Sequence, residues 1–510
     1  MDSDRDGVGD LAGITSRLDY LQSLGVTAIW ISPIYPSPMA DFGYDVSDYC
    51  GIQPLFGTFA DFDLLVQESH KREIRVILDF VPNHTSDQHP WFIESVSSRD
   101  NPRRDWYIWR DAKPGGGVPN NWLSHFGGSG WEWDEATKQY YYHAFLKEQP
   151  DLNWRNPKVQ AAMMDALRFW LDRGVDGFRV DVIWEMIKDH QFRNNPVNDR
   201  YQPGEGRPYL QLLPLHSGDQ PEVHEIVRMM RSVLDEYRER VLIGELYVPL
   251  DRLMKYYGEN GPECHLPFNF LLVTLRWDAR RIAAAIDKYE HALPAHGWPN
   301  WVLGNHDVPR IATRAGTDQA GVAVMLLLTL RGTPTMYYGD ELGLVDVPVP
   351  PEAIEDPVGK NLGAAFSRDP SRTPMQWDAG HGAGFTTGTP WLPFSSDFQR
   401  VNVAAESEDP DSILSLYRRL IALRQSEPAL MVGSYAGIPA DGDIIAYVRE
   451  GDGKRFLVVL NLGPESTQSD LPQGAGLGRV AVCTDVGREG MDVFEALEVR
   501  GNEGLVIALS

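Results

Sequence analysis

From Leu11 to Ser426 the chain alternates between helical and strand patterns, and this alternation confines it to one class of fold. Leu11–Gly25 is amphipathic and closes on a glycine, and Thr27–Ser32 is an apolar strand. Thr58–Glu73 reads as helix, Ile74–Val81 as strand, and Pro157–Gly174 as a helix with apolar residues at helical spacing. A strand then ends at Asp181, a helix covers Pro221–Glu239, a strand ends at Glu245, and Phe268–Phe270 reads as a short strand. A helix over Ala279–Leu293, a strand ending at His306, a helix over Asp318–Leu330, a strand over Thr333–Tyr338 and a helix over Ser412–Ser426 complete the series. Strand–helix alternation on this scale predicts an α/β fold whose parallel strands close into a (β/α)8 TIM barrel.

Three long segments interrupt the alternation. Residues 83–153 are rich in Trp, Gly, Asn and Tyr and read as a loop-rich insertion after the third strand of a complete barrel. Asp189–Gln220 and Gly343–Phe398 are long loops in the positions that follow its fourth and eighth strands. Loops of this length in a compact domain are mostly functional, and all three leave from strand C-terminal ends. Past residue 430 the pattern changes to short strands separated by Gly/Asp turns. The expected division is a barrel over 1–82 and 154–430, an inserted domain over 83–153 and a C-terminal β-sandwich over 431–510.

Three of the apolar runs end in a carboxylate: GFRVD at Asp181, VLIGE at Glu245 and WVLGNHD at Asp307. Strand C-termini of a parallel barrel open on one face, which carries the active site. Three acids meeting there, with Arg179, Asn305 and His306 beside them, point to glycoside chemistry.

The formal net charge of −25 argues against nucleic acid or an anionic membrane as partner and fits a neutral substrate. Cys50, Cys264 and Cys483 are too few and too scattered for a disulfide scaffold or a zinc site, which points to a reducing, cytoplasmic setting. The longest apolar run, Val322 to Leu330, is too short to span a bilayer. The sequence sets no oligomeric state.

Residues 2–10 read DSDRDGVGD. Oxygen side chains at alternate positions, with Gly at the sharp turns, suit a hard cation. Asp2, Asp4, Asp6 and Asp10 would supply carboxylates and Val8 a carbonyl; an EF-hand is disfavoured because its twelfth position here is Gly13. The expected ion is a structural Ca²⁺, with Mg²⁺ the alternative, and no organic cofactor is expected.

DFVPNH (Asp79 to His84), QPDLNW (Gln149 to Trp154), GFRVD, IGELY, GNHD and GTPTMYYGDE (Gly332 to Glu341) occur in that order. In this the chain resembles the alpha-amylase superfamily, glycoside hydrolase family thirteen, in particular its bacterial alpha-glucosidase and oligo-1,6-glucosidase branch. The resemblance implies Asp181 as nucleophile, Glu245 as general acid/base and Asp307 as transition-state stabiliser. It implies that Asp41 and Tyr44 of DFGYD, His84, Arg179, His306 and Arg372 of SRTPMQW hold the terminal glucose, with Phe145 and Phe178 as pocket walls. Val182, directly after the nucleophile, accompanies α-1,6 activity in that branch. The implied enzyme is a retaining, exo-acting alpha-glucosidase acting on short oligosaccharides of the isomaltose type. The alternative is a glucosyl transferase or trehalose synthase built on the same machinery. Transporter-associated heavy chains share the barrel but lack the acids kept here.

Residue spacing agrees with these roles. Arg179 lies two residues before Asp181, so both point to one face of a strand, and the cation would keep Asp181 ionised. Glu245 has no cation beside it in sequence, which would favour its neutral acid form. Asp79 precedes its strand end and is expected to brace the site through Arg179 or a neighbouring loop. The family places a first barrel strand ahead of the cation loop, where this chain has only Met1. Seven strands are therefore expected, with an open edge, and the expectation is a sequence truncated at its start.

Overall fold

The computed structural model of the protein describes residues 1–204, 206–470, 477–494 and 496–510. Among them are seven parallel barrel strands: β1 (Ala28–Ile31), β2 (Arg75–Phe80), β3 (Gly177–Val180), β4 (Val241–Gly244), β5 (Leu266–Pro267), β6 (Asn300–Val302) and β7 (Thr333–Thr335). β1 to β5 form one sheet in sequence order, and β6 pairs with β7. β1 and β7 each have one edge with no hydrogen-bonded neighbour among the described residues.

The pleat divides these strands into two faces. Ile77 and Ile243 pack with Phe268, Phe270 and Val302 in an inner cluster, while Leu78, Phe80, Phe178, Val180 and Leu242 join the outer core under the helices. Register places Asp79 beside Arg179 and Arg179 beside Ile243, so the charged residues lie on the inner face. The glycine of GFRVD is a packing requirement. A Cβ on Gly177 would lie 2.3 Å from the Val241 carbonyl oxygen on the next strand.

Local sequence sets the helix limits. Thr58 and Asp61 form a capping box on Phe59–Lys71, and Asn156 caps Pro157–Asp172 with a proline in its first turn. The helix expected over Leu11–Gly25 is two, Leu11–Thr15 and Leu18–Leu24. The Thr15 and Ser16 hydroxyls donate to the carbonyls of Leu11 and Gly13, a local bonding pattern that competes with helix continuation. Gly25 ends the second piece in the left-handed region, at φ 92°. The short strand expected at Phe268–Phe270 lies two residues earlier, because Phe270 is already the cap of helix Leu271–Thr274.

The segment after β2 holds a helix, Pro90–Ser97, and a three-stranded antiparallel sheet built from Trp109–Arg110, Gln139–Tyr142 and Trp131–Asp134. Its helix was not legible in a stretch without apolar periodicity. Residues 434–509 carry a six-stranded antiparallel sheet. The apolar run near residue 322 is helix Ala320–Thr329, buried at every position. It packs on that sheet through the Tyr447–Thr329 hydroxyl contact and the Arg449 bond to the Thr329 carbonyl. No described helix is long and apolar enough to cross a membrane.

Candidate active site

One guanidinium organises the C-terminal ends of β2, β3 and β4. Arg179 is 1% exposed, and its Nη1 donates to both Asp79 oxygens, at 2.9 and 3.1 Å, and to Asp181 Oδ1 at 2.7 Å. Its Nη2 lies 2.7 Å from Glu245 Oε2. Asp79 thus braces the arginine, as its place ahead of the strand end suggested. Tyr44 donates its hydroxyl proton to Asp79 Oδ2 at 2.8 Å, and Trp30 adds a longer bond.

The contact between Arg179 and Glu245 corrects the sequence reading, in which Glu245 lacked a cation. The arginine does not divide the two acids into one charged and one neutral; it touches both. Burial pushes Asp181 well above the ordinary carboxylate range and Glu245 upward, while Arg179 pulls each down. Burial raises Asp79 as well. Three buried carboxylates around one guanidinium cannot all stay ionised. The charge of Glu245 adds to the upward push on Asp181, so the ionisation of one acid depends on that of the other.

The backbone orients Glu245 further. Val182, a β-branched residue, adopts φ 34° and ψ 46°, a left-handed conformation costing about 1–3 kcal/mol. This turns its N–H to Glu245 Oε2 at 3.0 Å. Oε2 then accepts from Arg179 and Val182, which leaves Oε1 as the oxygen free to carry a proton.

The loop after β6 holds the third acid in a different environment. Arg368 Nη1 and Arg372 Nη2 each donate to Asp307 Oδ1 at 3.0 Å. Burial works against the charge of Asp307, but these guanidiniums overcome it and hold the carboxyl far below its usual range. Its neighbour His306 is neutral, since burial lowers its pKa to about 3. Tyr44 gives its own proton to Asp79, so at 2.9 Å it accepts the Nε2–H of His306, and the two rings stack at 5.6 Å.

The opposite wall combines Asp41, His84 and Phe145. Gln149 donates to Asp41 and contacts His84, and the His84 ring lies 5.1 Å from that of Phe145. Arg372 also donates to the His306 carbonyl at 2.7 Å. The structure therefore brings together Asp181, Glu245, Asp307, Asp41, Tyr44, His84, Phe145, Arg179, Val182, His306 and Arg372. Phe178 is the exception. Strand alternation turns it to the outer face, where it is fully buried 5.8 Å from Phe80 and cannot line the pocket.

Sequence reasoning missed Arg368, which binds Asp41, Asp307 and Asp356 together. A signal was present, since Arg368 stands four residues before Arg372 in the same SRDPSRT stretch. Asp356 gave none, lying in a loop without periodicity. Tyr247, two residues after Glu245, was also missed; it is 40% exposed and stacks on Phe270 at 4.5 Å.

At the start of the chain, carboxylate oxygens of Asp2, Asp4 and Asp10 lie within 4.8 Å of one another. Asp6 is outside that set of side chains and accepts the Val8 N–H at 2.8 Å. Asp2 and Asp10 are themselves fixed by bonds from Arg5, Gly7, Ser3 and Gly13.

A family model described as the alpha amylase catalytic domain matches residues 1–433. A probable alpha-glucosidase of Rhizobium meliloti (strain 1021) is 41% identical over 488 residues, spanning 92% of this chain and 88% of its own length. An oligo-1,6-glucosidase of Heyndrickxia coagulans is 38% identical over 513 residues, spanning 92% and 91%. The crystal structure of an alpha-glucosyl transfer enzyme, XgtA, superposes with a TM-score of 0.94 at 39% identity, covering 100% of this chain and 97% of that one.

Proposed function

The chain belongs to the alpha-amylase family of glycoside hydrolases, and from that premise we propose that it is a retaining, exo-acting alpha-glucosidase. The observation that carries this reading is the partition of the acids: Asp181 and Glu245 both contact Arg179, while Asp307 is held ionised by two other arginines. A retaining glycosidase needs one carboxylate to attack the anomeric carbon and one acid to protonate the departing oxygen. Substrate entering between these two acids leaves a proton on Glu245 Oε1 and the charge on Asp181. Asp181 then attacks the anomeric carbon as Glu245 protonates the leaving oxygen. Glu245 next takes a proton from water, which displaces the glucosyl group from Asp181. Asp307 offers its fixed charge to the positive ring of the transition state and to the ring hydroxyls.

The bridge from Arg368 to Asp41, Asp307 and Asp356 would close the pocket behind the terminal glucose, which suits an exo-acting enzyme. Val182 favours α-1,6 over α-1,4 links in this reading. One branched side chain discriminates by about 1–3 kcal/mol. Purified protein should thus turn over isomaltose faster than maltose, and Val182→Ala should shift that ratio toward maltose by roughly tenfold. Maltose hydrolysed far faster than isomaltose by the unaltered protein would end the linkage assignment. The likeness to a glucosyl transfer enzyme supports a second reading, in which a sugar replaces water in the second step. Product analysis at high sugar concentration separates the two: free glucose supports hydrolysis, new disaccharides transfer.

Asp2, Asp4 and Asp10 fit a structural hard cation, with Ca²⁺ the proposed ion and Mg²⁺ the alternative. Their side chains are preset by backbone bonds, and a cation would relieve repulsion among three close acids. The ion would neutralise and stiffen the loop ahead of helix Leu11–Thr15. Chelation should therefore lower the melting temperature by several degrees, reversibly on adding Ca²⁺, with kcat at 25 °C unchanged. An unaltered melting temperature would remove the ion from the account.

A further inference from the structure

Lys188, in the loop after β3, is fully buried beside the pocket, yet the chemistry above gives it no task. It is 1% exposed. Its ammonium pairs with Asp151 and donates to the Glu185 carbonyl and to Asn83 Oδ1, the last at 2.6 Å. An ammonium only donates, so the Asn83 side chain must face it with its oxygen. The Asn83 NH2 group then points the other way, to Asp151 Oδ2 at 3.0 Å and to His84 Nδ1 at 3.1 Å. An amide NH2 cannot accept, so His84 Nδ1 must be the unprotonated ring nitrogen. The single proton of the neutral ring therefore sits on Nε2, which faces the Tyr44 carbonyl at 3.1 Å and the Gln149 amide that binds Asp41. Burial, against the pull of Asp151 and Asp41, lowers the His84 pKa and keeps the ring neutral.

We propose that Lys188 is a positioning residue that, with Asp151 and through Asn83, fixes His84 as the Nε2–H tautomer, so that the ring donates to the Tyr44 carbonyl and is held in place at the pocket wall beside Asp41. With the other tautomer an unprotonated Nε2 would face the Tyr44 carbonyl, acceptor against acceptor, and the ring would lose that anchor. This inference rests on the glucosidase reading for its substrate, but the tautomer itself does not. The rival role for Lys188 is to neutralise Asp151 where the 83–153 segment docks.

The test is ¹⁵N-histidine NMR of the intact protein, with the His84 signals among thirteen histidines identified by their loss in His84→Asn. The wild-type ring should show a protonated Nε2 and an unprotonated Nδ1. Lys188→Met removes the donor that holds the amide oxygen and leaves only the Asp151 bond to orient Asn83, and Asn83→Asp places an acceptor against Nδ1 while keeping a partner for the ammonium. Both should move the proton to Nδ1 and raise KM for the disaccharide about tenfold, the cost of one hydrogen bond, with a smaller change in kcat. If Lys188→Met does not fold, Asn83→Asp carries the test. A wild-type ring protonated on Nδ1, or folded variants that keep the Nε2–H form, would overturn the proposal. A tautomer that moves in a protein with no glucosidase activity would leave the positioning role standing and refute the function instead.

Discussion

Asp181→Asn should lose about 10⁴-fold or more in kcat on any glucoside while the protein stays fully folded. The amide has the size of the carboxylate but cannot displace a leaving group from the anomeric carbon. Its oxygen still accepts from Arg179, whose Nη1 lies 2.7 Å from Asp181 Oδ1. Stability should hold or rise, because the substitution removes one of three carboxylates competing for a single guanidinium. This is the trade-off expected where a site stores electrostatic strain for function. Initial rates with thermal denaturation of the same sample check both halves. Turnover within tenfold of the unaltered protein would remove Asp181 from the chemistry.

Arg179→Met should have the opposite balance, failing in stability as well as rate. The substitution keeps the length of the side chain but strips the cation from Asp79, Asp181 and Glu245, all buried. Breaking a buried ion cluster by removing one partner costs about 3–5 kcal/mol, because the remaining charges are left uncompensated. The acids would take up protons to escape that cost. The loss should therefore be largest near neutral pH and shrink in acid, where protonation is free. Urea denaturation at two pH values measures this. A destabilisation below about 1 kcal/mol would mean that Arg179 is no more than a surface-like pair.

Much of the architecture could be read from residue order, because strands that end in GFRVD, VLIGE and GNHD announce both their burial and their polar tips. The inner face followed from strand alternation alone, and the same rule misplaces Phe178 only if it is ignored: one residue from Arg179 means the opposite side of the sheet. What could not be read was cross-strand proximity. Glu245 has no cation near it along the chain, yet β4 runs beside β3 and brings Arg179 to 2.7 Å. Arg368 illustrates a second kind of gap. Its partners Asp41, Asp307 and Asp356 come from three separated loops, and no local pattern encodes their convergence. The break between helices Leu11–Thr15 and Leu18–Leu24 depended on two hydroxyls choosing carbonyls over solvent, a competition that apolar periodicity does not register.

The strained Val182 backbone joins the two levels. Its left-handed conformation is costly for a β-branched residue, and it is the conformation that sends its N–H to Glu245. The side chain that would choose the linkage and the backbone that aims the acid belong to one residue.

Trapping the reaction midway is the most direct measurement of the central claim. A fluorinated α-glucosyl fluoride, which forms a glycosyl-enzyme faster than water releases it, should leave one sugar on the protein. Proteolysis and mass spectrometry should locate it on Asp181, with α-glucose as the first-formed product from natural substrate. A sugar carried on Glu245 or Asp307, or no adduct together with β-glucose released first, would contradict a double displacement through Asp181.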